Sequence, residues 1–159
     1  MKKFLLVLMA MFAFGFQNVN AQDGIKIVTN HPDLTIKVKR CTANGKTVVL
    51  DLIFTNTSGN DADMRICMGN GETKIHDDEG NEYNGDYEGP VSVKIANKRS
   101  AQWVEDFTLI SDVPTKVQWT ITGVPNSVEE IARVQFKIIC NAWSLDNYVT
   151  IRNIPITRQ

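Results

Sequence analysis

Catalytic vocabulary is what this chain has least of. It carries only two histidines, His31 and His76. Neither belongs to an H-E-x-x-H pair or a Cys–His signature, and no G-x-S-x-G elbow is present, so the common nucleophile and metalloprotease arrangements are missing. No C-x-x-C pair exists to seed a closed zinc site. Charge of one sign is also missing. The 17 Lys and Arg and 18 Asp and Glu residues are interspersed, with a formal net charge of −1. A nucleic-acid binder needs a Lys/Arg footprint to neutralise phosphates, so no nucleic-acid partner is expected. Long apolar runs are limited to residues 4–16, shorter than the ~20 residues a membrane-crossing helix requires. No membrane span is expected, and no cofactor motif is found.

What the chain does have begins at its start. Lys2 and Lys3 precede the uncharged apolar run, and Gln17-Asn18-Val19-Asn20-Ala21 ends on a small residue. A basic n-region, a short apolar h-region and an A-x-A-like end form the pattern of a cleaved export signal. Residues 1–21 are read as that signal and expected to stand apart as an apolar helix. Residues 22–159 are read as one domain, in the periplasm or outside the cell. Their 138 residues suffice for a core, with 15 basic and 18 acidic residues, net −3.

Cys41, Cys67 and Cys140 all lie in that domain. In an oxidising compartment two of three can pair, and sequence alone leaves three pairings open. The pairing expected is Cys41 with Cys140, since each ends an alternating stretch, one early and one late. Cys140 shares parity with Val134, Phe136 and Ile138. Cys41 is out of step with Leu34, Ile36 and Val38, so turning it inward requires a bulge near Arg40. Cys67, within Met64-Arg65-Ile66-Cys67-Met68, reads as a buried thiol.

The rest of the domain is strand after short strand. Leu34-Thr35-Ile36-Lys37-Val38-Lys39 alternates with period two. Asn44-Gly45 is a strong hairpin signal, and the return strand puts Val48, Leu50, Leu52 and Phe54 on one face. Further strands are expected around Met64 to Met68, 73–76, from Tyr83, 91–95, 103–110, 117–121, 134–140 and 148–156. Pro155 marks an edge. Ser127-Val128-Glu129-Glu130 fits a capping box and predicts a single helical turn over 128–132. The pattern predicts an all-β, antiparallel immunoglobulin-like β-sandwich with one short helical turn. Its core face is Leu34, Ile36, Val38, Leu50, Leu52, Phe54, Trp119, Ile121, Phe136 and Ile138.

Three stretches carry a family likeness: Val49-Leu50-Asp51-Leu52-Ile53-Phe54-Thr55-Asn56, the turn Asp77-Asp78-Glu79-Gly80-Asn81-Glu82-Tyr83, and Val113-Pro114-Thr115-Lys116 through Val134. In that order they resemble the small exported immunoglobulin-like domains of bacteria that have no assigned function. The Asn-Ala-Gln end of the signal resembles those of Gram-negative anaerobes of the gut type. The resemblance implies a fold and an address, and no site residue.

Two places are candidate sites. The acidic group Asp77, Asp78 and Glu79 offers oxygens to a hard cation such as Ca²⁺, but it lacks EF-hand spacing, and Asp, Gly and Asn also build tight turns. Trp143, with Tyr148 close behind, offers an aromatic platform to a sugar ring or protein, or packs over the end of the core. Asn56-Thr57-Ser58 is a glycosylation sequon by pattern and reads as a turn. The function expected is a non-catalytic interaction domain whose partner is an envelope or extracellular protein or a glycan. The alternative is a module binding a small ligand, glycan or calcium.

Overall fold

Period-two alternation builds this molecule. The computed structural model describes residues 18–22, 24–98 and 101–159. The described residues form thirteen strands: β1 (Asn18–Gln22), β2 (Ile25–Thr29), β3 (Leu34–Asn44), β4 (Thr47–Asn56), β5 (Ala62–Cys67), β6 (Thr73–His76), β7 (Glu82–Asn84), β8 (Val91–Ile95), β9 (Val104–Leu109), β10 (Thr115–Thr122), β11 (Glu130–Cys140), β12 (Leu145–Pro155) and β13 (Thr157–Arg158). They form two sheets. One runs β1-β2-β12-β11-β5-β9, with β6 and β7 added beside β11, and the other runs β13-β3-β4-β10-β8. All pairings between strands are antiparallel except β13 with β3.

The ten residues expected to form the core are all buried, and Trp119 and Phe136 meet across it with ring centroids 5.1 Å apart. The β3–β4 hairpin turns at Asn44-Gly45 as expected, with Gly45 at φ +55. The register between β3 and β4 shifts between Val38 and Arg40. That bulge brings Cys41 back to the core side after Val38, so both are buried.

Among the described residues there is one short helical turn, at Asn141–Trp143 rather than at residues 128–132. At the latter place the chain turns at Val128, whose amide donates to the Pro125 carbonyl, and then enters β11. The backbone is already committed elsewhere: the Glu129 amide donates to Asp78, and the Glu129 and Glu130 carbonyls accept from Ile156 and Asp78. With Val128 and Ile131 both buried, packing overrides the capping box.

The expectation that residues 1–21 stand apart is corrected at its end. Residues 18–22 form β1, which pairs antiparallel with β2 from Asn18↔Thr29 to Gln22↔Ile25. Their neighbour β2 otherwise offers an open edge, and Gly24, at φ +93, supplies a positive φ just before β2. The apolar run of the expected signal lies outside the described residues.

Candidate functional site

At one end of the sandwich, three connections converge: β2–β3, β4–β5 and the helical turn that joins β11 to β12. The first carries His31, which starts a turn in which Leu34 donates to its carbonyl, while the Asp33 amide donates to its Nδ1 at 3.2 Å. The third ends at Ser144, held in the left-handed region at φ 49, which throws the preceding Trp143 over the end of the core. The rings of His31 and Trp143 stack, with centroids 4.3 Å apart and planes 7° from parallel. Beside them opens a cleft of about 440 Å³ lined by His31, Asp33, Ser58, Asn60, Asp61 and Trp143, among others.

The Asn56 side chain fixes the middle loop. Its Nδ2 donates to the carbonyls of Asn60 and Leu109, and its Oδ1 accepts from the Ser58 amide. The residue is fully buried, so the sequon nitrogen is a structural donor. Asp61 accepts the Ser111 amide and so ties the loop to the chain beyond β9. The cleft thus combines an aromatic stack with two carboxylates, two hydroxyls, those of Ser58 and Ser144, and an amide. Such a lining can hold a polyhydroxylated or cationic group: rings pack on its apolar face, and acceptors meet its donors.

Trp143 is therefore placed both over the core and at the cleft, the two roles the sequence left open for it. Tyr148 is not brought to the cleft. It stands on the outward face of β12 opposite Lys137, and its link to this end is through its backbone carbonyl, which accepts from Asn30. His31 was not singled out as a site residue. A His beside Pro gives no sequence signal, and only the fold shows what it stacks on.

The metal reading of Asp77, Asp78 and Glu79 is corrected. Asp77 is buried and its carboxylate already accepts four hydrogen bonds: from the Glu79 and Asn81 amides, the Asn81 side chain and the Tyr83 hydroxyl at 2.7 Å. Burial alone would raise its pKa, but the hydrogen bonds from Asn81, Tyr83 and Glu79 outweigh it and hold the carboxyl below its ordinary range. Asp78 turns away to the Glu129 amide. Among the described residues no group of three or more His, Cys, Asp or Glu side chains can hold a metal ion. His76 pairs with Glu82 at 3.0 Å rather than with Asp77 or Asp78.

The Cys41–Cys140 bridge is likewise corrected. All three cysteines are buried free thiols. Cys140 ends β11, beside the turn that carries Trp143 and hence near His31 and the start of β3. Cys41 lies seven residues beyond Leu34, about 23 Å along the strand at ~3.3 Å per residue. Near it Thr157 pairs with Thr42, and Ile156 donates to Glu129 at the opposite end of β11. A disulfide needs Cα atoms roughly 4.4–6.8 Å apart, and the two lie at opposite ends of the sandwich. Burial pushes the Cys41 thiol up to about 12.

A larger open depression of about 640 Å³ lies over β5 and β9. Several of its polar groups are matched within the protein: Arg65 pairs with Asp106 at 2.7 Å, and Asp63 accepts from Thr108 at 2.6 Å. Among the described residues, no helix is long and apolar enough to cross a membrane.

No family model matches this chain, and no curated protein does. Among solved structures it is similar to the "ASH / PapD-like domain of human CEP192 (PapD-like domain 7)", with a TM-score of 0.41 and 13% identity over 80% of this chain and 84% of that one. It is also similar to a structure described as "AvmM Catalyzes Macrocyclization in Alchivemycin A Biosynthesis", with a TM-score of 0.35 and 6% identity over 91% of this chain and 97% of that one. Likeness at that level says nothing of function.

Proposed function

We propose that this chain is an exported, non-catalytic interaction domain that recognises its partner through the loop end around Trp143. Export rests on the basic start, short apolar run and small-residue end read at residues 1–21. The observation that carries the recognition reading is the Trp143–His31 stack beside an open cleft with Asp33 and Asp61 in its lining. Aromatic anchors of this kind are enriched where proteins bind partners, and a two-sheet frame gives them fixed positions.

The same lining favours a second reading, a site for a small polyhydroxylated ligand or glycan. Calorimetry of the full chain against a glycan panel, beside capture from envelope and culture fractions, tests both. Saturable binding abolished by Trp143→Ala supports recognition at this end. Robust turnover of a substrate, or binding indifferent to Trp143→Ala, overturns it.

A further inference from the structure

The outer face of the larger sheet carries an arrangement that the loop-end cleft does not use. Strand register sets four basic side chains level on four neighbouring strands. Lys26 on β2 is opposite Arg152 on β12, Arg152 is opposite Arg133 on β11, and Arg133 is opposite His76 on β6. At ~4.8 Å between strands, the row spans about 14 Å. Like charges directly opposite one another destabilise a strand pair, so this row is costly as it stands.

Among the described residues a carboxylate reaches only the His76 end of the row, where Glu82 lies 3.0 Å away. Among the described residues, Arg40, Arg65, Lys74, Lys98, Lys116 and Lys137 each stand within ion-pair distance of Asp or Glu, whereas Lys26, Arg133 and Arg152 do not. The Nε of Arg133 and the Nδ1 of His76 are both buried without a hydrogen-bond partner. A buried donor left unpaired forfeits its hydration with nothing in return.

The backbone is also distorted here. Buried Ile131 and Val134 enclose two less buried residues in β11, and buried Ile151 and Ile154 enclose two exposed ones in β12, where Asn153 has φ +60. Irregularities of this kind re-aim side chains, and these flank the two arginines.

We infer that this row binds an anionic tetrahedral ester group, a phosphate monoester with up to two charges or a sulfate monoester with one. A guanidinium fork donates two parallel hydrogen bonds to two oxygens. A tetrahedral group has a third terminal oxygen, beyond the two that one fork engages, for the second arginine or for Lys26. Such a ligand removes the repulsion between Arg133 and Arg152.

The test is an NMR titration of the full chain with phenyl phosphate and phenyl sulfate at constant ionic strength, following the amides of Lys26, Arg133 and Arg152 and the Arg133 Nε–H. Saturable shifts confined to this row are expected, and the ester that binds more tightly identifies the group. Arg152→Gln should weaken binding at least tenfold. Arg133→Lys, which keeps the charge but loses the fork, should weaken it by a similar factor. Lys94→Gln on the other sheet should leave it unchanged. Without anion, Arg152→Gln should melt higher than the parent, because the repulsion is gone. Shifts that never saturate, or equal affinity in the parent and Arg152→Gln, overturn the inference.

Discussion

The indole of Trp143 lies flat against the imidazole of His31, 4.3 Å between centroids and 7° from parallel. The contact joins the β2–β3 connection to the turn after β11, so it holds two loops of this end of the sandwich in one arrangement. Stacked aromatic pairs contribute about 0.5–1.5 kcal/mol beyond the area they bury. His31→Ala should therefore lower unfolding stability by about that amount. Trp143→Ala, which also uncovers the end of the core, should cost more, roughly 2–4 kcal/mol. Urea denaturation of the two variants checks the order; equal small effects would show that the stack does not hold the loops.

Asp77 should be the most damaging single change in the acidic turn. Asp77→Ala leaves the Tyr83 hydroxyl and three N–H donors without their acceptor. At about 1–3 kcal/mol for each buried group left unpaired, and with partial rescue by water, a loss of roughly 3 kcal/mol is expected. Ca²⁺ should shift the melting temperature of neither this variant nor the parent. A calcium-dependent rise lost on Asp77→Ala would restore the metal reading.

Acid should unfold the protein through the same group and through Asp51. Asp51 is buried, which would raise its pKa. Hydrogen bonds from Gln118, Arg40 and Lys116 outweigh that burial and hold it down. A carboxyl whose folded pKa lies below its unfolded value binds protons more weakly when folded. Its stabilisation is complete above the ordinary value of 3.8 and is lost as pH falls through the lowered one. Melting temperature should thus be flat with respect to these groups from pH 7 to about 5 and fall below about 4. Asp51→Asn should flatten part of that fall.

The thiols offer a count. Three free thiols should appear on unfolding without reductant, and native Cys41, buried and pushed up to about 12, should react slowly at neutral pH. Reductant should leave the melting temperature unchanged.

The strands and core were legible because one face alternates without interruption, as in Leu34, Ile36 and Val38 or Val117, Trp119 and Ile121. Even the bulge that turns Cys41 inward followed from its broken parity. The bridge did not, because parity says which way a cysteine points and not at which end of the sandwich it lies. The helical turn was misplaced because Ser127 and Glu130 satisfy a local rule while Asp78 and Ile156, distant in sequence, take the backbone groups the rule would use. β1 was hidden by overlap: Val19 and Ala21 suit a cleavage site and an edge strand equally. Of the cleft, Trp143 was legible as a loop aromatic that either packs over the core or meets a ligand. His31, Asp33 and Asp61 were not, since they come from two other connections that only the sheet order brings together. Asp51 was hidden too, buried on the outward parity of β4 beneath Arg40, Lys116 and Gln118.

Placement of a photo-crosslinking amino acid at single positions tests the recognition claim most directly. Substituted at Asp33 or Ser144, in the lining of the cleft, it should trap a discrete partner or glycan conjugate in envelope fractions of the organism that makes the protein. At Lys94, on the outer face of the other sheet, it should trap none, and adding Trp143→Ala to the Ser144 probe should abolish the product. Equal trapping from Lys94, or a Ser144 product that survives Trp143→Ala, would contradict recognition at this end.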